Sequence, residues 1–142
     1  MSSSDYERAA EAVHAAAIRL LRTVRKEDAA SGISGAQLSV LSVLVFLGPQ
    51  TLSALAAHEQ VKPPTMSQMV ASLEAQGLVA RRPLDRRSIQ ISVTEKGRRL
   101  TMAGRKRRLA LLTKSFEGLP ATKLALLEEA ARIMTVATER KP

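Results

Sequence analysis

The side chains with the clearest chemistry form a cationic segment between Leu78 and Arg108. This segment holds eleven Lys or Arg and two acids, Asp85 and Glu95, for a local balance of +9 (11 − 2). The rest of the chain holds eleven bases (22 − 11) and eleven acids (13 − 2), so the formal net charge of +9 lies in this segment. Cations at this density attract phosphates. A basic run can also be only a solvated face, so the surrounding elements must decide between the two.

Sequence periodicity places the centre of this charge on a β-hairpin. Residues 78–82 and 88–93 predict two short strands, and residues 83–87 predict a polar turn between them. Apolar and polar residues alternate along the second strand, as on a half-buried strand. The tip of the hairpin carries Arg86 and Arg87 and is therefore cationic.

Residue types that would support catalysis or metal binding are sparse. The chain has no cysteine, which excludes disulfides, thiolate metal sites and thiol redox switches. Its two histidines, His14 and His58, lie far apart without a carboxylate pattern, so no metal site is predicted. No Ser–His–acid cluster, carboxylate pair or glycine-rich phosphate loop is visible. We therefore expect a protein that is not an enzyme and uses no cofactor.

Length and hydropathy indicate one folded domain. The chain has 142 residues, of which 45% are hydrophobic and 25% are charged, so it can bury a core. Its longest apolar run, residues 40–47, is far shorter than the roughly 20 residues of a membrane span. Acidic residues near the N-terminus do not fit a signal peptide. These patterns predict a cytoplasmic protein.

Two predicted helices lead directly into the hairpin. Thr51 offers a hydroxyl cap to the first, which runs to about His58. The second has Pro63 and Pro64 in its first turn and Gly77 just past its end, an arrangement typical of a helix start and stop. Its apolar face carries Met66, Met69, Val70 and Leu73, and its opposite face is short, polar and uncharged. Two helices, a tight turn and a basic hairpin predict a winged helix-turn-helix.

Further helices are predicted on both sides of this central module. They cover residues 4–28 and 34–46 before it, and residues 94–114 and 121–139 after it. The predicted fold class is mainly α with a small β-hairpin wing (α+β).

Four short segments resemble the sequence pattern of a known family. They read PTMS (64–67), LEAQGL (73–78), RRPLDRR (81–87) and VTEKG (93–97). The order and spacing of these segments resemble those of the MarR family of winged helix-turn-helix bacterial transcription regulators. The resemblance extends over essentially the whole chain. Val93 conservatively replaces the leucine that is usual in the family.

The resemblance implies DNA contacts from the second helix of the module and from the wing. The helix at Pro64 would lie in the major groove, and the wing would insert Arg86 into the adjacent minor groove. Arg87 would meet backbone phosphate, and Asp85 would orient an arginine through a carboxylate pair. The expected recognition-helix contacts are Pro64, Thr65, Ser67, Gln68 and Ser72. The expected wing contacts are Arg82, Asp85, Arg86 and Arg87, and the expected phosphate contacts are Lys62, Arg98 and Arg99.

The exposed side chains of this helix are suited to modest recognition of DNA bases. Gln68 can make a bidentate contact to adenine, and Thr65 can touch a thymine methyl group. Gln68 can equally be a solvated surface amide. The family often has an arginine or another strong reader at this position, whereas residues 63–76 carry no positive charge. We expect more of the affinity to come from the wing and from Arg98 and Arg99.

The terminal helices are predicted to form a homodimer. Their apolar residues recur at helix-pairing spacing without an obvious place in the central module. The expected organisation within one MarR-type domain is a dimerisation helix (1–33), a DNA-binding lobe (34–97) and C-terminal helices that complete the dimerisation region (98–142). Two-fold symmetry would match an inverted repeat with half-sites about 10 base pairs apart, or a multiple of that. The expected seam residues are Val13, Leu20, Leu124, Leu127 and Met134.

The family also implies a small aromatic effector between the dimer helices and the DNA-binding lobes, which would favour a spacing that no longer fits DNA. Apolar residues at helical spacing are, however, more often core than pocket. The expected lining residues are Tyr6, Val13, His14, Ala17, Leu41, Val45, Leu109 and Leu112.

Two functions from different classes fit these features. The first is a sequence-specific transcriptional regulator, most simply a repressor, that binds duplex DNA. The second is a nucleoid-type protein that binds DNA with little sequence specificity. Few aromatic residues means few stacking platforms for single strands, which favours a duplex in either case.

Overall fold

A computed structural model describes residues 1–28 and 31–139 of the chain. The elements follow the order α1 (Ser3–Asp28), α2 (Gly35–Leu47), β1 (Gln50–Thr51), α3 (Leu52–His58), α4 (Pro63–Ala75), β2 (Val79–Pro83), β3 (Ile89–Val93), α5 (Glu95–Phe116) and α6 (Ala121–Glu139). The predicted fold class is confirmed, and the helices end within two residues of their expected bounds.

Side-chain caps fix where these helices begin. The Ser34 hydroxyl accepts from the backbone N–H of Gln37 at 3.1 Å, and the Gln37 side chain accepts from the Ser34 N–H at 3.2 Å, which forms a capping box. The hydroxyls of Thr51 and Thr94 each accept, at 3.1 Å, from the third residue of α3 and α5 respectively. Pro63 opens α4, as the sequence predicts. These local bonds explain why the helix starts could be predicted from the sequence.

The wing is a three-stranded antiparallel sheet rather than the predicted two-stranded hairpin. β3 lies between β1 and β2, and β1 places Gln50 opposite Ile91 and Thr51 opposite Gln90. The sequence prediction missed β1 because two residues show no alternation and their partners lie far along the chain. β2 and β3 each begin one residue later than predicted.

The hydrophobic core lies in the winged helix-turn-helix lobe. The apolar face of α4 is confirmed, since Met66, Val70 and Leu73 are fully buried. Ile91 of the central strand is fully buried beside them. Burying each such side chain stabilises the lobe by about 1.5–3 kcal/mol. The rest of the core comes from Ile33, Leu38, Val40, Leu41, Leu44, Leu55, Ala56, Leu78 and Val79.

The terminal helices bury little apolar surface in a single chain. Within α1, Ser3–Asp28, Val24 is the one buried residue, and within α6, Ala121–Glu139, none is buried. A second apolar stripe on α6, 56–61% exposed, was not predicted and consists of Leu126, Ile133 and Val136. None of the helices in the described ranges is both long and apolar enough to span a bilayer. The predicted seam residues are 37–44% exposed: Val13, Leu20, Leu124, Leu127 and Met134.

Gly97 of α5 approaches the root of the wing too closely to carry a side chain. A Cβ there would lie 2.1 Å from the Leu78 carbonyl oxygen and 2.8 Å from Val93 Cγ2. Because backbone would have to move, we expect Gly97→Ala to lower the free energy of unfolding by roughly 1–3 kcal/mol. Urea unfolding followed by circular dichroism at fixed protein concentration measures this change.

Gly35→Ala is the matched control for that substitution. A Cβ on Gly35, the first residue of α2, would meet nothing within 4 Å. Gly35→Ala should therefore keep or slightly raise the unfolding midpoint. A midpoint for Gly97→Ala equal to that of the wild type would contradict the close approach of Gly97 to Leu78.

Candidate nucleic-acid interface

The outer face of α4 presents polar side chains at the surface. Pro64, Thr65 and Gln68, three of the predicted base-contacting residues, are exposed. The opposite face of the helix is fixed in the core, so the rotation of these side chains about the helix axis is set by packing. The arrangement can place an amide and a hydroxyl against base edges.

Ser67 and Ser72 of the same helix are less free than their neighbours. Ser67 is half-buried. Ser72 is exposed, but its hydroxyl accepts from Gln37 Nε2 at 3.1 Å and from Gln76 Nε2 at 3.3 Å. Ser72 thus links α4 to α2, and because its oxygen only accepts in these two bonds, its O–H donor remains available for a phosphate or base acceptor.

One carboxylate orders the tip of the wing. Asp85 Oδ1 accepts from the backbone N–H of Arg87 at 2.7 Å, from the N–H of Ser88 at 2.8 Å and from the Ser88 hydroxyl at 2.9 Å. These bonds, led by the Arg87 N–H, hold the pKa of the Asp85 carboxyl below its ordinary value. Because the pKa is lowered, the stability that these bonds contribute is fully present above the ordinary pKa of a carboxyl group. It is lost only as the pH falls through the lowered pKa of the folded protein.

In this chain Asp85 bonds the backbone and the Ser88 hydroxyl of its turn, and its pairing with an arginine side chain stays a prediction. The ion pairs within 4.0 Å in residues 1–28 and 31–139 do not include Asp85. A short acidic side chain in a tight turn reaches the backbone donors two and three residues ahead more readily than a long guanidinium. Arg86 and Arg87 consequently remain exposed and, in the same ranges, without an acidic partner.

The root of the wing is bonded to the end of α4. The Thr94 hydroxyl donates to the Gly77 carbonyl at 2.6 Å, and the Thr94 N–H donates to the Leu78 carbonyl at 3.0 Å. Lys96 Nζ donates to the Gln76 carbonyl at 2.9 Å. The sequence identified Thr94 only as a helix cap and did not single out Lys96. Short sequence patterns could not reveal the bonds of Thr94 and Lys96 to the end of α4, because the bonded residues are 16 to 20 positions apart in the chain.

Two adjacent arginines of β2 have different surroundings. Arg82, a predicted wing contact, is exposed, and its Nη2 lies 3.4 Å from Gln90 Oε1. Arg81 was not predicted as a site residue. Its half-buried guanidinium reaches α4, where Nη2 donates to the Ser67 carbonyl at 3.3 Å and Nε lies 3.4 Å from Glu74 Oε1. Strand alternation, which puts neighbours on opposite faces, is the signal that could have separated the two.

The three predicted phosphate contacts lie at helix starts. Lys62 is the N-cap residue of α4, is exposed and makes no side-chain cap bond. Arg98 and Arg99 are exposed near the start of α5, directly after the wing. The helix dipole places partial positive charge at such starts, which adds to the charge of these side chains.

Two residues of the basic run 105–108 make contacts within the fold. Arg108 Nη1 lies 3.0 Å from Asp28 Oδ1, and their side chains are only 21% and 18% exposed. The Arg105 guanidinium lies over the Phe46 ring, 5.5 Å from its centroid. Consecutive residues point in directions about 100° apart on a helix, so Arg105 and Arg108 contact different neighbours.

The predicted effector-lining residues differ widely in exposure. Leu41 is fully buried in the lobe core, because α2 is covered on several sides. Tyr6, near the start of α1, is 63% exposed. Val13, His14, Ala17 and Leu109 are also exposed, and Val45 and Leu112 are half-buried.

A groove of about 320 Å³ does lie between α1, α2 and α5, but other residues line it. Its walls combine aliphatic side chains with the Asp28–Arg108 ion pair. Across the described ranges, no three His, Cys, Asp or Glu side chains are grouped so that they could hold a metal ion. The groove residues are Leu21, Val24, Arg25, Asp28, Gly35, Leu38, Ser39, Ser42 and Arg108.

Known proteins share both the sequence pattern and the fold. The MarR family model matches residues 33–89. An HTH-type transcriptional regulator of Mycobacterium tuberculosis is 36% identical over 129 residues, which cover 89% of this chain and 90% of the relative. A MarR family protein from Bacillus stearothermophilus has a TM-score of 0.88 at 21% identity, with 99% of each chain covered. NadR in complex with 4-hydroxyphenylacetate has a TM-score of 0.68 at 22% identity, covering 87% of this chain and 89% of NadR.

The family match falls on the lobe and the wing, which hold the exposed face of α4 and the wing-tip arginines. The two solved structures are below 25% identity and show the shared fold. The mycobacterial relative extends sequence similarity to the terminal helices. The chain therefore belongs to the MarR family of winged helix-turn-helix transcriptional regulators.

Proposed function

We propose that this regulator is a repressor that binds an inverted-repeat operator in duplex DNA as a homodimer. The observation that carries the proposal is the concentration of charge, because the net +9 lies between Leu78 and Arg108. Within that segment Arg86 and Arg87 are exposed at the wing tip. Cations placed in this way neutralise phosphates and release counterions, which supplies affinity independent of sequence. The protein would act in the cytoplasm, where bacterial DNA lies.

Sequence discrimination comes, in this proposal, from the exposed face of α4. Gln68 pairs with the edge of an adenine and Thr65 contacts a thymine methyl group in the major groove. Arg86 enters the minor groove, and Arg87 binds the backbone beside it. Because residues 63–76 carry no cation, the wing supplies most of the affinity and α4 supplies the discrimination.

The terminal helices provide the dimer. Their apolar stripes are exposed in a single chain, and pairing with a second copy would remove this surface from water. In this arrangement residues 1–33 and 98–142 join the protomers and residues 34–97 form each DNA-binding lobe; residues 29–30 and 140–142 lie outside the described part. Two-fold symmetry then sets half-sites about 10 base pairs apart, or a multiple of that.

A small aromatic acid is the proposed effector. NadR, which shares the fold, is known in complex with 4-hydroxyphenylacetate. In this chain the groove between α1, α2 and α5 joins aliphatic Val24 and Leu38 with Arg108, whose guanidinium would exchange its Asp28 partner for the carboxylate of the ligand. A ligand held there would favour one spacing of the lobes over another and so change the affinity for DNA.

Removing both wing-tip cations is expected to abolish useful binding. Arg86→Ala with Arg87→Ala should weaken binding at least about 100-fold to a duplex that the wild type selects from a random pool. The slope of log K against log salt should also become shallower by about 0.9 for each phosphate that the variant no longer neutralises. Fluorescence anisotropy over a range of salt concentrations measures both quantities.

The matched control removes two cations outside the cationic segment. Lys114→Ala with Lys123→Ala changes exposed residues and should leave binding close to that of the wild type. Circular dichroism and light scattering should show that the wing variant keeps its fold and assembly. Unchanged binding by the wing variant would contradict the proposal. If the wild type bound the selected and the random duplexes equally at matched salt, the function would be nucleoid-type binding and not specific regulation.

Asp85→Ala is expected to weaken DNA binding several-fold, although it removes a negative charge from the interface. The effect follows from the three bonds that Asp85 accepts at the wing tip. Asp85→Asn keeps a carbonyl acceptor and should restore most of the affinity. Because the pKa of Asp85 is lowered, this group should give the wild type no pH dependence between about pH 5 and 8. Anisotropy titrations measure these affinities, and tighter binding by Asp85→Ala would show that the carboxylate only repels phosphate.

Leu127→Glu is expected to separate the protomers. Leu127 is 42% exposed in a single chain, and a charge there would be buried without a partner in the proposed seam. Light scattering should give about 31 kDa for the wild type (2 × 15.3) and 15.3 kDa for the variant. Glu128→Gln, whose side chain is 74% exposed, is the control and should remain dimeric. A wild-type mass of 15.3 kDa at micromolar concentration would overturn the dimer.

A further inference from the structure

We propose that Arg81 is a positioning residue that sets the recognition helix α4 relative to the wing and does not itself bind phosphate. This inference rests on the proposed DNA-binding function. Arg81 lies in the middle of β2, opposite Ile91 of β3. Its side chain is only 26% exposed. The remaining wing arginines are exposed: Arg82, Arg86 and Arg87.

The Arg81 guanidinium contacts α4 at two places. Nη2 donates to the Ser67 carbonyl at 3.3 Å, and Nε lies 3.4 Å from Glu74 Oε1. Ser67 and Glu74 are seven residues apart (74 − 67), which is about two helical turns. A single contact would leave the helix free to pivot about it. Two contacts along the same flank resist both rotation and sliding of α4 against β2.

The geometry of this ion pair indicates that it orients α4 more than it stabilises the fold. Nε is buried and makes no hydrogen bond within the described ranges, and the Glu74 side chain is 45% exposed. Ion pairs of this kind contribute little net stability, and an apolar residue of similar volume is often as stable. The nearby carboxylate also compensates the guanidinium charge, which makes Arg81 a poor phosphate ligand compared with its neighbour Arg82.

Arg81 acts directly beside the proposed base reader. The carbonyl that it holds belongs to Ser67, and Gln68 is the next residue. Specific binding requires Gln68 in the major groove and Arg86 in the minor groove at the same time. Non-specific phosphate binding requires neither. Loosening α4 from the wing should therefore lower discrimination between sequences more than it lowers affinity for random DNA.

The experiment compares Arg81→Met with Arg82→Met, which remove one cation each from adjacent positions of β2. The probes are the duplex that the wild type enriches from a random pool and a random-sequence duplex of equal length, titrated over a range of salt concentrations. Arg81→Met should lower the ratio of selected to random affinity by about tenfold with an unchanged salt slope. Arg82→Met should weaken both duplexes alike, with a slope shallower by about 0.9 for one phosphate fewer.

A second measurement tests the coupling without DNA. Backbone amides of α4 should exchange hydrogen faster in Arg81→Met than in the wild type or Arg82→Met, while the unfolding midpoint stays within error. Uniform weakening with a shallower slope would make Arg81 a phosphate contact and overturn the inference, as would an unchanged affinity ratio or unchanged exchange in α4. If the wild type enriches no duplex, the proposed regulator function fails, and the exchange result alone then supports or overturns the positioning of α4 by Arg81.

Discussion

The contact between the root of the wing and the first turn of α5 is the constraint on which the interface depends. The Leu78 carbonyl accepts from the Thr94 N–H at 3.0 Å and lies where any Cβ on Gly97 would have to be. At this joint α4 has just ended, the wing both begins and ends, and α5 starts. The Thr94 hydroxyl bonds the Gly77 carbonyl across the same joint. The positions of α4, the wing and α5 are therefore coupled at this joint.

The cations are concentrated in one segment of the sequence, but their surroundings in the structure differ. Two of the eleven cations in the segment from Leu78 to Arg108 have acidic partners that come from outside it. Arg81 pairs with Glu74 of α4, and Arg108 pairs with Asp28 of α1. Both pairs join separate elements of the fold, so these two cations help to fix how those elements are placed, while the exposed ones remain for an external anion. A formal charge count of the segment thus overstates what phosphate would meet.

Local signals were sufficient for the helices and insufficient for the contacts between elements. Thr51 and Thr94 were identified as caps because the bonded partner is three residues away. β1 was missed because its ladder partners are in β3. The bonds of Asp85 to the backbone of its turn were missed because the adjacent arginines suggest an ion pair. Leu41 shows the same limit, since an apolar residue at helical spacing has one sequence signature whether it faces the core or a groove.

The proposed dimer changes what a weakly reading helix can achieve. Each α4 offers short neutral side chains, so in this proposal one lobe would distinguish its half-site through a few hydrogen bonds and methyl contacts. If two lobes are joined rigidly, their discrimination energies add, and about 30-fold for each lobe becomes roughly 1,000-fold for the pair, the lower end of the range for specific DNA-binding proteins. That gain requires the terminal helices to hold the lobes at one spacing, because a flexible linkage would let each lobe bind separately. Specificity then depends on the stiffness of α1, α5 and α6 as much as on any contact of Gln68, and the groove where α1 and α5 meet beside α2 is well placed to control it.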